Sequence, residues 1–127
     1  MFELTKTIRF EAAHVLPNHK GQCGRLHGHS FVADLTVAGD QLFTTGSSAG
    51  MLVDFKDIKD AVQPILDSKL DHHFLNETLP LANPTSEEIA RWLFGELKPK
   101  LPQLVAVTVH ETCTSKCTYR PAEGDAQ

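Results

Sequence analysis

The segment Cys23-Gly24-Arg25-Leu26-His27-Gly28-His29 sets two imidazoles two residues apart, with a thiol four residues before the first. Extended backbone sends alternate side chains to the same face, so a strand over Leu26 to Ser30 projects His27 and His29 together toward one ion. With His14 upstream, the chain offers three imidazoles. Three neutral imidazoles with a fourth position open to water or substrate form a catalytic zinc arrangement, whereas structural zinc sites usually close all four positions with protein ligands. His14, His27 and His29 are therefore the candidate zinc ligands, and Cys23 the candidate base or nucleophile beside them. An H-x-H pair alone is weak, because a single histidine is more often a packed core or surface residue. Register strengthens it: Leu4, Ile8, Phe10, Ala12 and His14 alternate with polar residues, and His27 and His29 keep step with Phe31, Ala33, Leu35 and Val37.

Those two strands open an order of strand, loop, strand, loop, helix, loop, helix, strand, strand, an α+β pattern in one domain over residues 1–127. The run from Gly39 to Gly50, rich in glycine and serine, reads as a turn or hairpin connection before Met51-Leu52-Val53. Asp54 is placed to cap a first helix whose stripe is Phe55, Ile58, Val62, Ile65 and Leu66, and Pro64 inside it should bend the helix or remove one bond. Pro84-Thr85-Ser86-Glu87-Glu88 reads as a capping box with Thr85 as N-cap, followed by Ile89, Leu93 and Leu97, with Trp92 and Phe94 packed at the flank. The β-branched run from Leu104 to Glu111 is a strand on which Glu111 shares a face with Val105, Val107 and Val109.

Composition narrows the function classes. At 127 residues and 41% hydrophobic content the chain can fill one core but has limited capacity to enclose a substrate alone. The net charge of −4 disfavours nucleic-acid or anionic-membrane partners, which call for a basic patch. No apolar run is long enough to cross a bilayer, the start lacks a secretory pattern, and three cysteines fit a reducing compartment, so a cytoplasmic location is expected. A phosphorylated small substrate would need a local cluster of cations. Arg9, Lys20, Arg25, Lys116 and Arg120 are available, each equally readable as a solvated surface charge.

The runs Phe10-Glu11-Ala12-Ala13-His14, Cys23 to His29, Leu52-Val53-Asp54-Phe55, Leu70-Asp71-His72-His73, Asn83-Pro84-Thr85-Ser86-Glu87 and Glu111-Thr112-Cys113 resemble those of the 6-pyruvoyltetrahydropterin synthase family, in the family's order. Within it the resemblance is strongest to the bacterial branch that makes 6-carboxytetrahydropterin for queuosine. It implies a tunnelling fold: a four-stranded antiparallel sheet with two helices on one face, closed into a barrel by neighbouring subunits. A homo-oligomer follows, usually a hexamer built as a dimer of trimers, with the pocket between chains. The implied reaction converts 7,8-dihydroneopterin triphosphate to 6-carboxytetrahydropterin, releasing triphosphate and acetaldehyde, with bound zinc as Lewis acid.

Residue roles follow in the same way. Glu111 is a solvated charge if exposed, but at the end of an apolar strand face it is costly without a partner, and a pterin's 2-amino and N3–H edge can donate to its carboxylate in parallel. Thr85 and Ser86 are further substrate contacts, although capping already accounts for Thr85. The resemblance makes Cys23 the proton-abstracting group, with Asp71 holding His72 in one tautomer as the relay. Without it, Asp71-His72-His73 reads equally well as a helix end favoured by the dipole. His73 stays unassigned, since adjacent side chains diverge, and Cys113 and Cys117 read as small hairpin cysteines. Three other readings remain: pyruvoyltetrahydropterin synthesis from the same substrate, a zinc hydrolase with Cys23 incidental, and a non-enzymatic metal- or pterin-binding protein.

Overall fold

A computed structural model describes residues 1–122. Its elements run β1 (Phe2–His14), β2 (His27–Gly39), α1 (Phe55–Ile65), β3 (His73–Phe74), α2 (Leu75–Thr78), α3 (Ser86–Leu97), β4 (Leu104–Thr112) and β5 (Ser115–Tyr119). The sheet order is β3-β1-β2-β4-β5. β1 and β2 pair antiparallel without interruption from Phe2 opposite Gly39 to His14 opposite His27. Thus the four long strands are antiparallel, as expected. The fifth strand, β3, is an addition: two residues that run parallel to β1, at Ala12 with His73 and Ala13 with Phe74.

Alternation places Ile8, Phe10, Ala12 and His14 of β1, and Phe31, Ala33, Leu35 and Val37 of β2, on one buried face. Ile58, Val62 and Ile65 of α1 and Ile89, Leu93 and Leu97 of α3 close over it in a single core cluster. Both long helices begin at their expected caps: Asp54 accepts from the Lys56 amide and Thr85 from the Glu88 amide. Only half of the capping box forms, because the Glu88 carboxylate turns to Arg91 while the Thr85 amide donates to the Asn83 carbonyl. Phe94 packs edge-on against Tyr119, and Trp92 lies against the core.

Pro64 lies within α1, and just beyond it the chain widens into a π-type turn, Leu66–Leu70, closed by the Asp71 amide on the Leu66 carbonyl at 2.8 Å. Between β2 and α1 the chain folds back on itself, with the Phe43 amide on the Met51 carbonyl and left-handed backbone at Gly46 and Gly50. One register expectation needs correction. A shift in the β2–β4 ladder at Thr36/Val37 leaves Val105 without a partner, so Leu104, rather than Val105, shares the core face with Val107 and Val109. Among the described residues no helix is long and apolar enough to cross a membrane.

Candidate metal centre and active site

The β1–β2 ladder ends at the three histidines. His14 and His27 are directly opposed, and His29 lies across from Ala12, so one face at the end of one hairpin carries all three rings. Their ring centroids are 4.5 to 5.1 Å apart, and one potential ligand atom from each lies within 4.8 Å of the others. Phe31 packs beneath, edge-on to His14 and His29, and stacks on Phe10.

Backbone carbonyls decide which nitrogens face inward. His14 Nδ1 donates to the Pro84 carbonyl at 2.8 Å and His27 Nδ1 donates to the Arg25 carbonyl at 2.7 Å, which leaves each Nε2 as the lone-pair nitrogen. His14 Nε2 and His29 Nε2 are buried and have no hydrogen-bond partner. Orphaned buried acceptors are costly, and a cation at the centre of the trio would satisfy them. Burial lowers the His14 pKa, with His27 and His29 adding to it, against the Pro84 bond and the Glu111 charge; the neutral ring is the form a metal binds. The residues fit a divalent ion with an open position.

Glu111 lies beside this trio, with Oε1 3.9 Å from His14 Nε2. Its carboxylate lines a depression of about 350 Å³ with Ser86, Lys116 and Cys117, and a second one of about 480 Å³ with Arg9, Ser30 and His110. Ser86 is therefore brought to Glu111, whereas the Thr85 hydroxyl is engaged as the helix cap. Two of the candidate cations, Arg9 and Lys116, border Glu111.

Asp71 and His72 form a pair elsewhere. Asp71 Oδ2 is 3.1 Å from His72 Nδ1, and Oδ1 accepts from the Glu11 amide at 2.9 Å. That amide bond, helped by His72 and opposed by desolvation, holds the Asp71 carboxyl below its usual range. The His72 amide donates to the Glu11 carbonyl, with the residue left-handed at φ +60°. The imidazole is 78% exposed and lines a depression of about 510 Å³ with Glu11, Ala13 and Ser30, together with Ala12 and His29 of the histidine face. His73 lines the same depression, with its Nε2 3.1 Å from the Asp67 carbonyl.

Cys23 lies in the short 3₁₀ turn Gln22–Gly24 of the β1–β2 loop, half-buried and free, with its carbonyl accepting from the Leu16 amide. No hydrogen bond joins it to Asp71 or His72 among the described residues. Cys113 is exposed at the β4–β5 turn, and burial with the nearby Glu87 raises the Cys117 pKa. The only cluster with metal-ligand geometry among the described residues is the histidine trio. Residue types did not reveal the Pro84 carbonyl, a main-chain group, or Asn76, whose amide bonds both backbone groups of Val15.

A sequence model of the 6-pyruvoyl tetrahydropterin synthase family matches residues 3–122. The chain belongs to that family. It is 49% identical over 120 residues to the 6-carboxy-5,6,7,8-tetrahydropterin synthase of a Synechocystis strain, covering 94% of this chain and 93% of that protein. The Bacillus subtilis protein of the same name is 36% identical over 132 residues, covering 97% and 88%. Among solved structures, the Caenorhabditis elegans 6-pyruvoyl tetrahydropterin synthase superposes with a TM-score of 0.81 at 25% identity, covering 95% of this chain and 96% of that one. This member of the family is a pterin synthase of the lyase type. The non-enzymatic reading is thereby set aside.

Proposed function

We propose that the chain converts 7,8-dihydroneopterin triphosphate and one water to 6-carboxy-5,6,7,8-tetrahydropterin, releasing triphosphate and acetaldehyde, with zinc held by His14, His27 and His29. The observation that carries this reading is the carboxylate of Glu111 3.9 Å from the inward nitrogen of a metal-ready trio, in a chain 49% identical to a protein named for that product. Bound zinc supplies Lewis-acid stabilisation of negative charge developing on the substrate's side-chain oxygens.

The protein's own residues supply the rest. Glu111 accepts the donor edge of the pterin and fixes the ring, with Ser86, and Thr85 at the same helix start, bordering the substrate. Cys23 takes the proton from the side-chain carbon attached to C6, whose anion is delocalised into the adjacent C=N bond. Asp71 holds His72 in one tautomer so that it exchanges that proton. Arg9 and Lys116 offer cations to the triphosphate. The wide exposure of His72 favours a relay completed between neighbouring chains, in a homo-oligomer assembled as a dimer of trimers. A cytoplasmic place in queuosine precursor synthesis fits this chemistry.

The test is to incubate zinc-loaded protein with 7,8-dihydroneopterin triphosphate and identify pterin and aldehyde products by mass spectrometry, with Cys23→Ala alongside. Carboxytetrahydropterin and acetaldehyde, lost in the variant, are expected. A pyruvoyl product would reassign the reaction to the sister activity, and full turnover by Cys23→Ala would favour hydrolytic metal chemistry.

A further inference from the structure

Just past His14 the backbone leaves both of its ladders. Pairing with β2 stops at His14 opposite His27, and pairing with β3 stops at Ala13 beside Phe74. Val15 is the first residue without a strand on either side, and it is half-buried. Its amide and carbonyl would each lose a partner at the position where the sheet must hold a ligand still. Both are taken up by one side chain from α2: Asn76 Oδ1 accepts from the Val15 amide at 2.9 Å, and Asn76 Nδ2 donates to the Val15 carbonyl at 2.8 Å. A carboxamide carries the donor and acceptor of a peptide group, so it can stand in for the missing strand.

We propose that Asn76 is a positioning residue for the metal centre: its amide extends the sheet by one residue and fixes the end of β1 from which His14 reaches inward. The inference rests on reading the histidine trio as a metal site. Asn76 closes a seam that begins with Asp71 Oδ1 on the Glu11 amide and the His72 amide on the Glu11 carbonyl, and continues through β3. That seam ties the segment carrying the Asp71–His72 pair to the strand carrying His14. The Pro84 carbonyl holds the His14 ring, while Asn76 holds the main chain beneath it. Removing partners one shell beyond the ligands typically weakens metal binding 10- to 100-fold.

The experiment titrates Co²⁺ into metal-free protein, follows its visible absorption, and then displaces it with Zn²⁺, for the parent, Asn76→Ala and Thr78→Val. Thr78 is the control because it donates to the Lys69 carbonyl from the same short helix without touching Val15. Asn76→Ala should weaken binding at least tenfold and alter the Co²⁺ spectrum, while Thr78→Val stays within about twofold of the parent. Binding by Asn76→Ala within twofold of the parent, or an equal loss in both variants, overturns the inference. Should Asn76→Ala fail to fold, Asn76→Asp replaces it under the same criterion, since it keeps the shape and the acceptor but not the donor. A parent that binds neither ion sinks the metal reading and this inference with it, whereas a binding parent with an unaffected Asn76→Ala sinks this inference alone.

Discussion

Among the described residues His14 is the one polar side chain with no exposed surface. Burial favours the neutral form of an imidazole so placed, and each nitrogen needs a partner; Pro84 serves Nδ1, and Nε2 has no hydrogen-bond partner. The sign of the resulting pH dependence follows. The folded pKa lies below the ordinary 6.5, so at pH values between the two the unfolded chain binds more protons and stability rises with pH. Metal-free protein should therefore lose stability as pH falls from about 6.5 through the lowered folded value, and His14→Gln should flatten that slope; thermal unfolding across the pH range reads it. Phe31, fully buried under the rings, should cost about 3–5 kcal/mol as Phe31→Ala in denaturant unfolding and loosen the trio. The convergence of the three histidines was legible in the sequence because side-chain type and strand period are both written there. Their anchoring was not, since two of the anchors are the main-chain carbonyls of Pro84 and Arg25, which every residue possesses.

At the scale of elements, legibility tracked length. The 13-residue β1 and β2 repeat their alternation often enough to fix register, whereas the two residues of β3 are too few to show any period and pair because α2 and the Asp71 seam deliver them to β1. The shift at Val105 was hidden for a related reason: one unpaired residue reverses the parity of what precedes it in β4 without altering composition. Pro64 announced an irregularity but not that the turn beyond it would widen and carry Leu70 into the core beside Leu66, which the helical stripe already included. Thr85 carries two assignments that separate experimentally. As N-cap, Thr85→Ala should cost about 1 kcal/mol of stability and Thr85→Ser should recover it; a loss of substrate affinity in the serine variant as well would point to contact by the methyl group. In the Cys23 turn, a Cβ on Gly24 would lie 2.3 Å from the His19 carbonyl oxygen. Gly24→Ala should then displace the thiol and reduce turnover more than it lowers the melting temperature, as paired assays of rate and unfolding would reveal.

As a whole, the molecule turns the trio toward the helices, and the depression bordered by His72 reaches that trio at His29. If chains share the relay, Cys23→Ala and His72→Asn, each inactive alone, should regain part of the activity when unfolded and refolded together; no recovery would place the relay within one chain. His72 itself illustrates a conflict between folding and chemistry. Its left-handed backbone is uncommon for a residue with a Cβ and costs about 1 kcal/mol, a cost glycine escapes. His72→Gly should accordingly unfold no more readily than the parent while losing the imidazole altogether. If His72 serves the relay, the most comfortable amino acid here is the useless one, and screening variants for thermal resistance alone would drift toward a sturdier protein that no longer works.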